Sequence, residues 1–122
     1  MNCVFCKIAN NELSSYKIYE DELIMAFLDA NPVFPGHTLI IPKKHTLDIN
    51  TIDEDGLCHI MKNVKSIANL IVDSLGADGF TLIQNNGFVQ EVKHFHLHII
   101  PKYKKEMKMD ILQVHKRITN HE

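Results

Sequence analysis

The chain has 122 residues, 13 Lys and Arg against 15 Asp and Glu, and a net charge of −2 with His neutral. This balance lacks the basic footprint of a nucleic-acid binder, and no apolar run reaches the length of a membrane span. An apolar fraction of 45 % is enough for one core, so residues 1–122 are expected to form a single domain.

Met1 to Cys6 lacks the basic and apolar parts of a secretory leader, which points to the cytoplasm. Three cysteines is an odd number, and disulfides are not expected in that compartment. Residues 3–10 suit a short helix, ended by Asn10-Asn11. Ser15 to Tyr19 alternates as a strand, Glu20-Asp21-Glu22 turns, and Leu23 to Leu28 completes a hairpin. Asp29-Ala30-Asn31-Pro32 breaks that strand, and Pro35-Gly36 turns the chain again. His37 to Ile41 reads as a third strand stopped by Pro42, with Lys43-Lys44 exposed at its end.

A long helix starts near Asp53, where Thr51 and Glu54 have capping-box spacing. Leu57, Ile60, Met61, Val64, Ile67, Ala68, Ile71, Val72 and Leu75 recur at steps of three and four, one apolar stripe. Cys58 is expected in the core beside them, and Gly76 is a natural stop. Phe80 to Gln84 is a fourth strand and Asn85-Asn86-Gly87 a turn. Residues 94–100 form the last strand, ended by Pro101. The tail holds a short helix over 109–117. His59, His115 and His121 are expected in solvent. The sum is an antiparallel sheet with a helix on one face, an α+β fold.

The last strand is unusual. In His94-Phe95-His96-Leu97-His98-Ile99-Ile100 a side-chain period of two puts three histidines on one face and Phe95, Leu97 and Ile99 in the core. Neighbouring histidines then stand roughly 6.5–7 Å apart, twice the strand rise. Three readings follow: a half-buried strand with a histidine outer face, a three-His metal site, or nucleophilic catalysis by one imidazole oriented by the others. Cys3 and Cys6 add a Cys-x-x-Cys pair, which is half of a zinc site or two buried thiols. His45 and one histidine of the triad are candidates for the other half of a closed, structural Cys₂His₂ site.

These residues resemble the histidine-triad (HIT) superfamily. The spelling at 94–100 is similar to its signature. Phe27-Leu28-Asp29-Ala30-Asn31-Pro32 resembles its Phe-x-Asp-x-x-Pro segment, and Gly36 to Lys43 its Gly-His-x-Leu-x-x-Pro-Lys segment. Asn85-Asn86-Gly87 and Gln90-x-Val92 resemble the loop ahead of the triad. The resemblance covers residues 3–103 and leaves a tail, 104–122, outside it. With its N-terminal Cys-x-x-Cys, the chain looks like a bacterial-type member of the Hint-like nucleotide hydrolase branch. His98 agrees, since the related galactose-1-phosphate uridylyltransferases carry Gln at that place.

The resemblance implies a five-stranded antiparallel sheet with one long helix and a short N-terminal helix, and a homodimer. It implies cleavage at the α-phosphate of a nucleotide through a covalent nucleotidyl-His96. It places His98 and Gln90 beside that nucleophile, and Phe5, Ile8 and Phe27 around the base. Asp29 would hold the ribose, His37 would belong to the site, and Asn85 and Gln90 would contact the phosphate or leaving group. The zinc pattern of the uridylyltransferases maps onto Cys3, Cys6, His45 and His94, a structural zinc that orients the strand presenting His96. The chemistry agrees: neutral imidazole is a good nucleophile near pH 7, its unperturbed pKa being about 6.5. Attack on phosphorus builds charge that His98, backbone N–H groups and the Gln90 amide can stabilise. Three features depart from the family pattern: a shorter loop between Asn85 and His94, Val89 in place of Gly, and Glu91 in place of Ser or Thr. An acidic Glu91 would repel an α-phosphate unless it points away or binds a leaving amine.

Overall fold

Strands β1 (Lys17–Glu20) and β2 (Ile24–Leu28) form a hairpin closed by Asp21 in the computed structural model, which describes residues 3–121. The Asp21 carboxylate accepts the backbone N–H groups of Leu23 (2.8 Å) and Ile24 (2.9 Å), the Tyr19 hydroxyl (2.7 Å) and the ring N–H of His59 (2.7 Å). His59 is therefore bound to Asp21, contrary to its expected place in solvent. It ties the long helix α2 (Glu54–Leu75) to the hairpin turn. Burial alone would raise the Asp21 carboxyl, but the His59, Tyr19 and backbone hydrogen bonds hold it well below the usual carboxylate range.

Strands β3 (Thr38–Pro42), β4 (Gly79–Gln84) and β5 (Leu97–Lys102) complete one antiparallel sheet in the order β1-β2-β3-β5-β4. Every residue of β2 and β3 is buried, because both faces of the sheet centre are covered. Position parity divides them. Ile24, Ala26, Leu28 and Ile40 face α2 together with Phe95, Leu97 and Ile99. Met25, Phe27, Leu39 and Ile41 face the short helix α1 (Val4–Ala9). The sheet thus separates a large core under α2 from a smaller one under α1, and the histidines stand on the α1 side.

Three local expectations change. The N-cap of α2 is Asp53, whose carboxylate accepts the Gly56 N–H at 2.6 Å. Thr51 instead closes the preceding turn with Asp48, so its spacing to Glu54 is not a capping box. Cys58 is exposed and Met61 is 47 % exposed, since the buried row runs through Ile60, Val64, Ile67, Ala68, Ile71 and Leu75 and leaves both on its solvent flank. Pro101 lies inside β5 rather than ending it. Pairing with β3 stops at Ile99, so no ladder partner needs the missing N–H on that side.

Helix α3 (Ile111–Thr119) begins with a capping box between Asp110 and Gln113, two residues later than expected. It packs on α2 and on edge strand β1, where the His115 ring N–H donates to the Lys17 carbonyl at 2.8 Å. His115 is thus half-buried and not solvated, and it helps cover an open strand edge. Gly36 has φ +92°, and a Cβ there would stand 2.6 Å from Leu75 Cδ1. Only glycine lets the chain pass this close to α2 before turning into His37.

Candidate functional site

Backbone groups fix the tautomers of His94 and His96 directly and that of His98 through His37. His94 and His96 precede the β5 ladder, because Phe95 donates its N–H to Thr46 O (2.6 Å) in the loop after β3. The ring Nε2–H of His94 donates to the Pro42 carbonyl at 2.8 Å, which leaves Nδ1 bare. His96 is turned the other way: its Nδ1–H donates to the His94 carbonyl at 2.7 Å, which leaves Nε2 bare. His37 accepts the Val33 N–H on Nδ1 (3.1 Å), so its proton sits on Nε2 and is donated to His98 Nδ1 at 2.9 Å. His98 then carries its own proton on Nε2. A proton added to His98 Nδ1 would meet the His37 N–H. Burial, then the His96 and His37 imidazoles, push His98 down to about 4, against an opposing pull from Asp29. Burial also lowers His37.

Two cavities meet over His96 and His98. The larger, about 620 Å³, is mostly apolar and is lined by Phe5, Ile8, Phe27 and Leu39, with Asp29 at one side. Phe5 sets its ring edge-on to His96 at 5.0 Å and to Phe27 at 5.7 Å. The smaller, about 260 Å³, is lined by His37, Asn85, Asn31 and Ile83. Asp29, Asn31, Glu91, His96 and His98 border both. Asp29 is fixed by the Asn31 N–H, which donates to its Oδ1 at 2.9 Å, and its Oδ2 lies 3.6 Å from His37 Nε2. Of the residues singled out from the sequence, Phe5, Ile8, Phe27, Asp29, His37, Asn85, His96 and His98 therefore come together. Gln90 does not line either cavity. Its buried amide donates to Leu47 O (2.7 Å) and accepts the Gly87 N–H (3.2 Å), which braces the loop before the triad. Val4, Ser14, Ser15, Tyr16 and Val92 also line the larger cavity. Ser15 and Tyr16 fall in the run read as the first strand and Val92 in the motif ahead of the triad, but neither pattern assigns them, Val4 or Ser14 to a site.

His94 faces away from these cavities, toward the cysteines. Cys3 Sγ lies 3.3 Å from His94 Nδ1, Cys6 Sγ 3.5 Å from the same nitrogen, and Cys6 Sγ 3.2 Å from His45 Nδ1. The four donor atoms all lie within 4.8 Å of one another. A tetrahedral zinc with its usual bond lengths spaces its ligands by about 3.5 Å. The donor set fits such an ion. Burial, then the neighbouring Cys3 thiol, push the Cys6 thiol up to about 11, and a bound cation is what would let this pair ionise. Asp29, His37 and His98 form a second cluster of possible ligands. There the His37 Nε2 carries a proton that the Val33 N–H prevents from moving to Nδ1, so this nitrogen is not a free donor to a metal. Nor do the three triad histidines converge on one point, since His94 and His96 expose opposite ring nitrogens to opposite neighbours.

Comparison with known proteins agrees with this architecture. A family model described as the HIT domain matches residues 10–105. A HIT-like protein of Methanocaldococcus jannaschii is 48 % identical over 103 residues, 83 % of this chain and 79 % of that protein. An adenosine 5′-monophosphoramidase of Schizosaccharomyces pombe is 37 % identical over 108 residues, 87 % of this chain and 78 % of that one. The crystal structure of a zinc-bound histidine triad family protein from Mycobacterium smegmatis superposes with a TM-score of 0.90 at 31 % identity, covering 98 % of this chain and 91 % of that one. The triad, the five-stranded sheet and these matches together make the chain a member of the HIT family.

Proposed function

We propose that the protein is a nucleotide hydrolase or transferase that cleaves at the α-phosphate of a purine nucleotide derivative, a nucleoside phosphoramidate or a dinucleoside polyphosphate, through a nucleotidyl-His96 intermediate. The observation that carries this reading is the bare Nε2 of His96 at the border of two cavities, held there by a 2.7 Å bond from Nδ1–H to the His94 carbonyl. Such an imidazole has one lone pair aimed at substrate and no need to lose a proton before attack. The larger cavity has the flat apolar walls and single carboxylate that suit a nucleoside, with Phe5, Ile8 and Phe27 around the base and Asp29 toward the ribose. His98, with its proton on Nε2, is the donor for charge developing on the phosphoryl oxygens. His37 and Asn85 serve the smaller cavity, where the leaving group departs. Gln90 acts on them through the loop it braces. The phosphoramidase relative supports the reaction class.

Zinc is proposed as a structural ion on Cys3, Cys6, His45 and His94. It would fix the strand entry that presents His96 and would take no part in bond cleavage. The same reading takes residues 1–122 as one domain in the cytoplasm, with α3 as its closing element. It includes a homodimer, for which edge strand β4 offers exposed Phe80, Leu82 and Ile83. The described residues contain no helix long and apolar enough to cross a membrane.

The test is turnover of adenosine 5′-phosphoramidate by wild type and by His96→Ala, with mass spectrometry for a trapped protein–AMP adduct. Loss of turnover in the variant and an adduct on wild-type His96 are expected. A melting curve with AMP separates lost chemistry from a lost fold. Full turnover by a folded His96→Ala protein would exclude the mechanism. Tight AMP binding without turnover of either substrate class by wild type would instead favour a nucleotide-binding regulatory module.

A further inference from the structure

The smaller cavity has an unusual charge. Asp29 and Glu91 both line it, and no Lys or Arg lines it or the larger cavity. The nearest cation in sequence, Lys93, is turned away and donates to the Gly87 carbonyl at 2.9 Å. Lys43 is paired with Glu20 at 2.5 Å. His37 and His98 are locked neutral by the Val33 N–H and by each other. Asp29 is engaged by the Asn31 N–H, whereas Glu91 is exposed and makes no ion pair among the described residues. Among the described residues, a carboxylate outside any ion pair therefore stands where the two cavities join, with no Lys or Arg lining either of them.

We infer that Glu91 selects the leaving group by charge, admitting a positively charged amine and disfavouring a polyphosphate. This rests on the proposed attack by His96 and chooses between the two substrate classes left open there. In the first step a bond forms between His96 Nε2 and phosphorus while the P–N bond breaks. The nitrogen leaves with the bonding pair and takes up two protons from solvent, the first as the bond breaks and the second on the free amine, to become an ammonium, which Glu91 faces. In the second step a water oxygen bonds to phosphorus, the Nε2–P bond breaks, and the water's proton goes to solvent. A leaving polyphosphate would instead bring several negative charges toward Glu91 with no Lys or Arg to receive them. A second positive charge on the leaving amine, as in a diamine, adds a further attraction that ammonia lacks.

The experiment uses three AMP amides of matched length, made from 1,4-diaminobutane, pentylamine and 4-aminobutanoate, and wild type, Glu91→Gln and Glu91→Lys. At roughly 6 Å in a partly hydrated cleft, one unit charge changes a rate about tenfold. Wild-type kcat/KM should therefore fall about tenfold at each step from the ammonium to the methyl to the carboxylate end. Glu91→Gln should bring the three within about twofold, and Glu91→Lys should reverse the order. Equal wild-type rates, or an order that survives Glu91→Gln, would overturn the assignment while leaving nucleophilic attack by His96 intact. Turnover of none of the three amides would likewise overturn the assignment, and turnover of a dinucleoside polyphosphate run beside them would show that attack by His96 stands without it.

Discussion

His37 donates its Nε2–H to His98 Nδ1 at 2.9 Å, and its own Nδ1 is held by the Val33 N–H. One backbone amide thereby decides the protonation of two side chains. His98 is held neutral down to about pH 4, below the range of an ordinary imidazole. Between about pH 6.5 and 4 the unfolded chain binds a proton at His98 that the folded protein does not. Stability from this group is thus full above about pH 6.5 and is lost as the pH falls toward 4. The ring shifts of His98 in an NMR titration should stay constant from pH 8 to about 5. In His98→Asn the melting temperature should fall less steeply over the acid range than in wild type.

Removal of the metal should loosen α1. Wild type is expected to carry one zinc per chain, and Cys3→Ala to carry little. At zinc a thousandfold above its Kd the ion contributes about 4 kcal/mol, so a chelator should lower the melting temperature markedly. His96→Ala should keep its metal, because His96 offers its bare nitrogen to the cavities and not to the cysteines. Metal lost in His96→Ala would argue for a site built on the triad itself.

Gln90→Ala should act on the loop and not directly on substrate. It removes the bonds that the buried Gln90 amide makes, to the Leu47 carbonyl and from the Gly87 N–H. A cost of about 1–3 kcal/mol is expected. Hydrogen exchange at the amides of residues 87–92 should speed up by more than that in the sheet. Unchanged exchange in this loop would mean that the brace is unimportant.

Asp21→Asn should cost about 1–3 kcal/mol, since one carboxylate closes the β1–β2 turn and receives His59. The Asp21 carboxyl is depressed in the fold, so its contribution is full above about pH 4 and is lost as the pH falls through its lowered value. Chemical denaturation should therefore show the gap between wild type and variant at neutral pH and a smaller gap in strong acid.

What the sequence showed depended on how local the cause was. The period-two spelling around His96 and the stripe through Ile60, Val64 and Ile71 are local patterns, and both give the right faces. Phe5, Phe27 and Asp29 were legible through the family resemblance, and they do line one cavity. Long-range partners were not legible. Nothing in the spacing of His59 or His115 announces Asp21, 38 residues away, or Lys17, 98 residues away. Cys58 reads as part of the apolar face of α2, yet it stands on the solvent flank of the buried row through Ile60 and Val64. The amide of Gln90 was assigned to substrate because its closure onto Leu47 crosses 43 residues that no local pattern spans.

The parity of β2 and β3 has a consequence for how this protein can change. Met25, Phe27, Leu39 and Ile41 support the wall of the site, while Ile24, Ala26, Leu28 and Ile40 anchor the chain to α2. Substitutions at odd positions can reshape the wall without touching the larger core, and those at Ile24, Ala26 and Ile40 can repack that core without entering the cavity lining, which Leu28 alone of the even set joins. Loss or gain of a single residue within either strand has no such freedom, since it exchanges the two sets at once. Point substitution is thus the open route to new substrate preference in these strands, and length variation belongs in loops such as the one that carries Glu91.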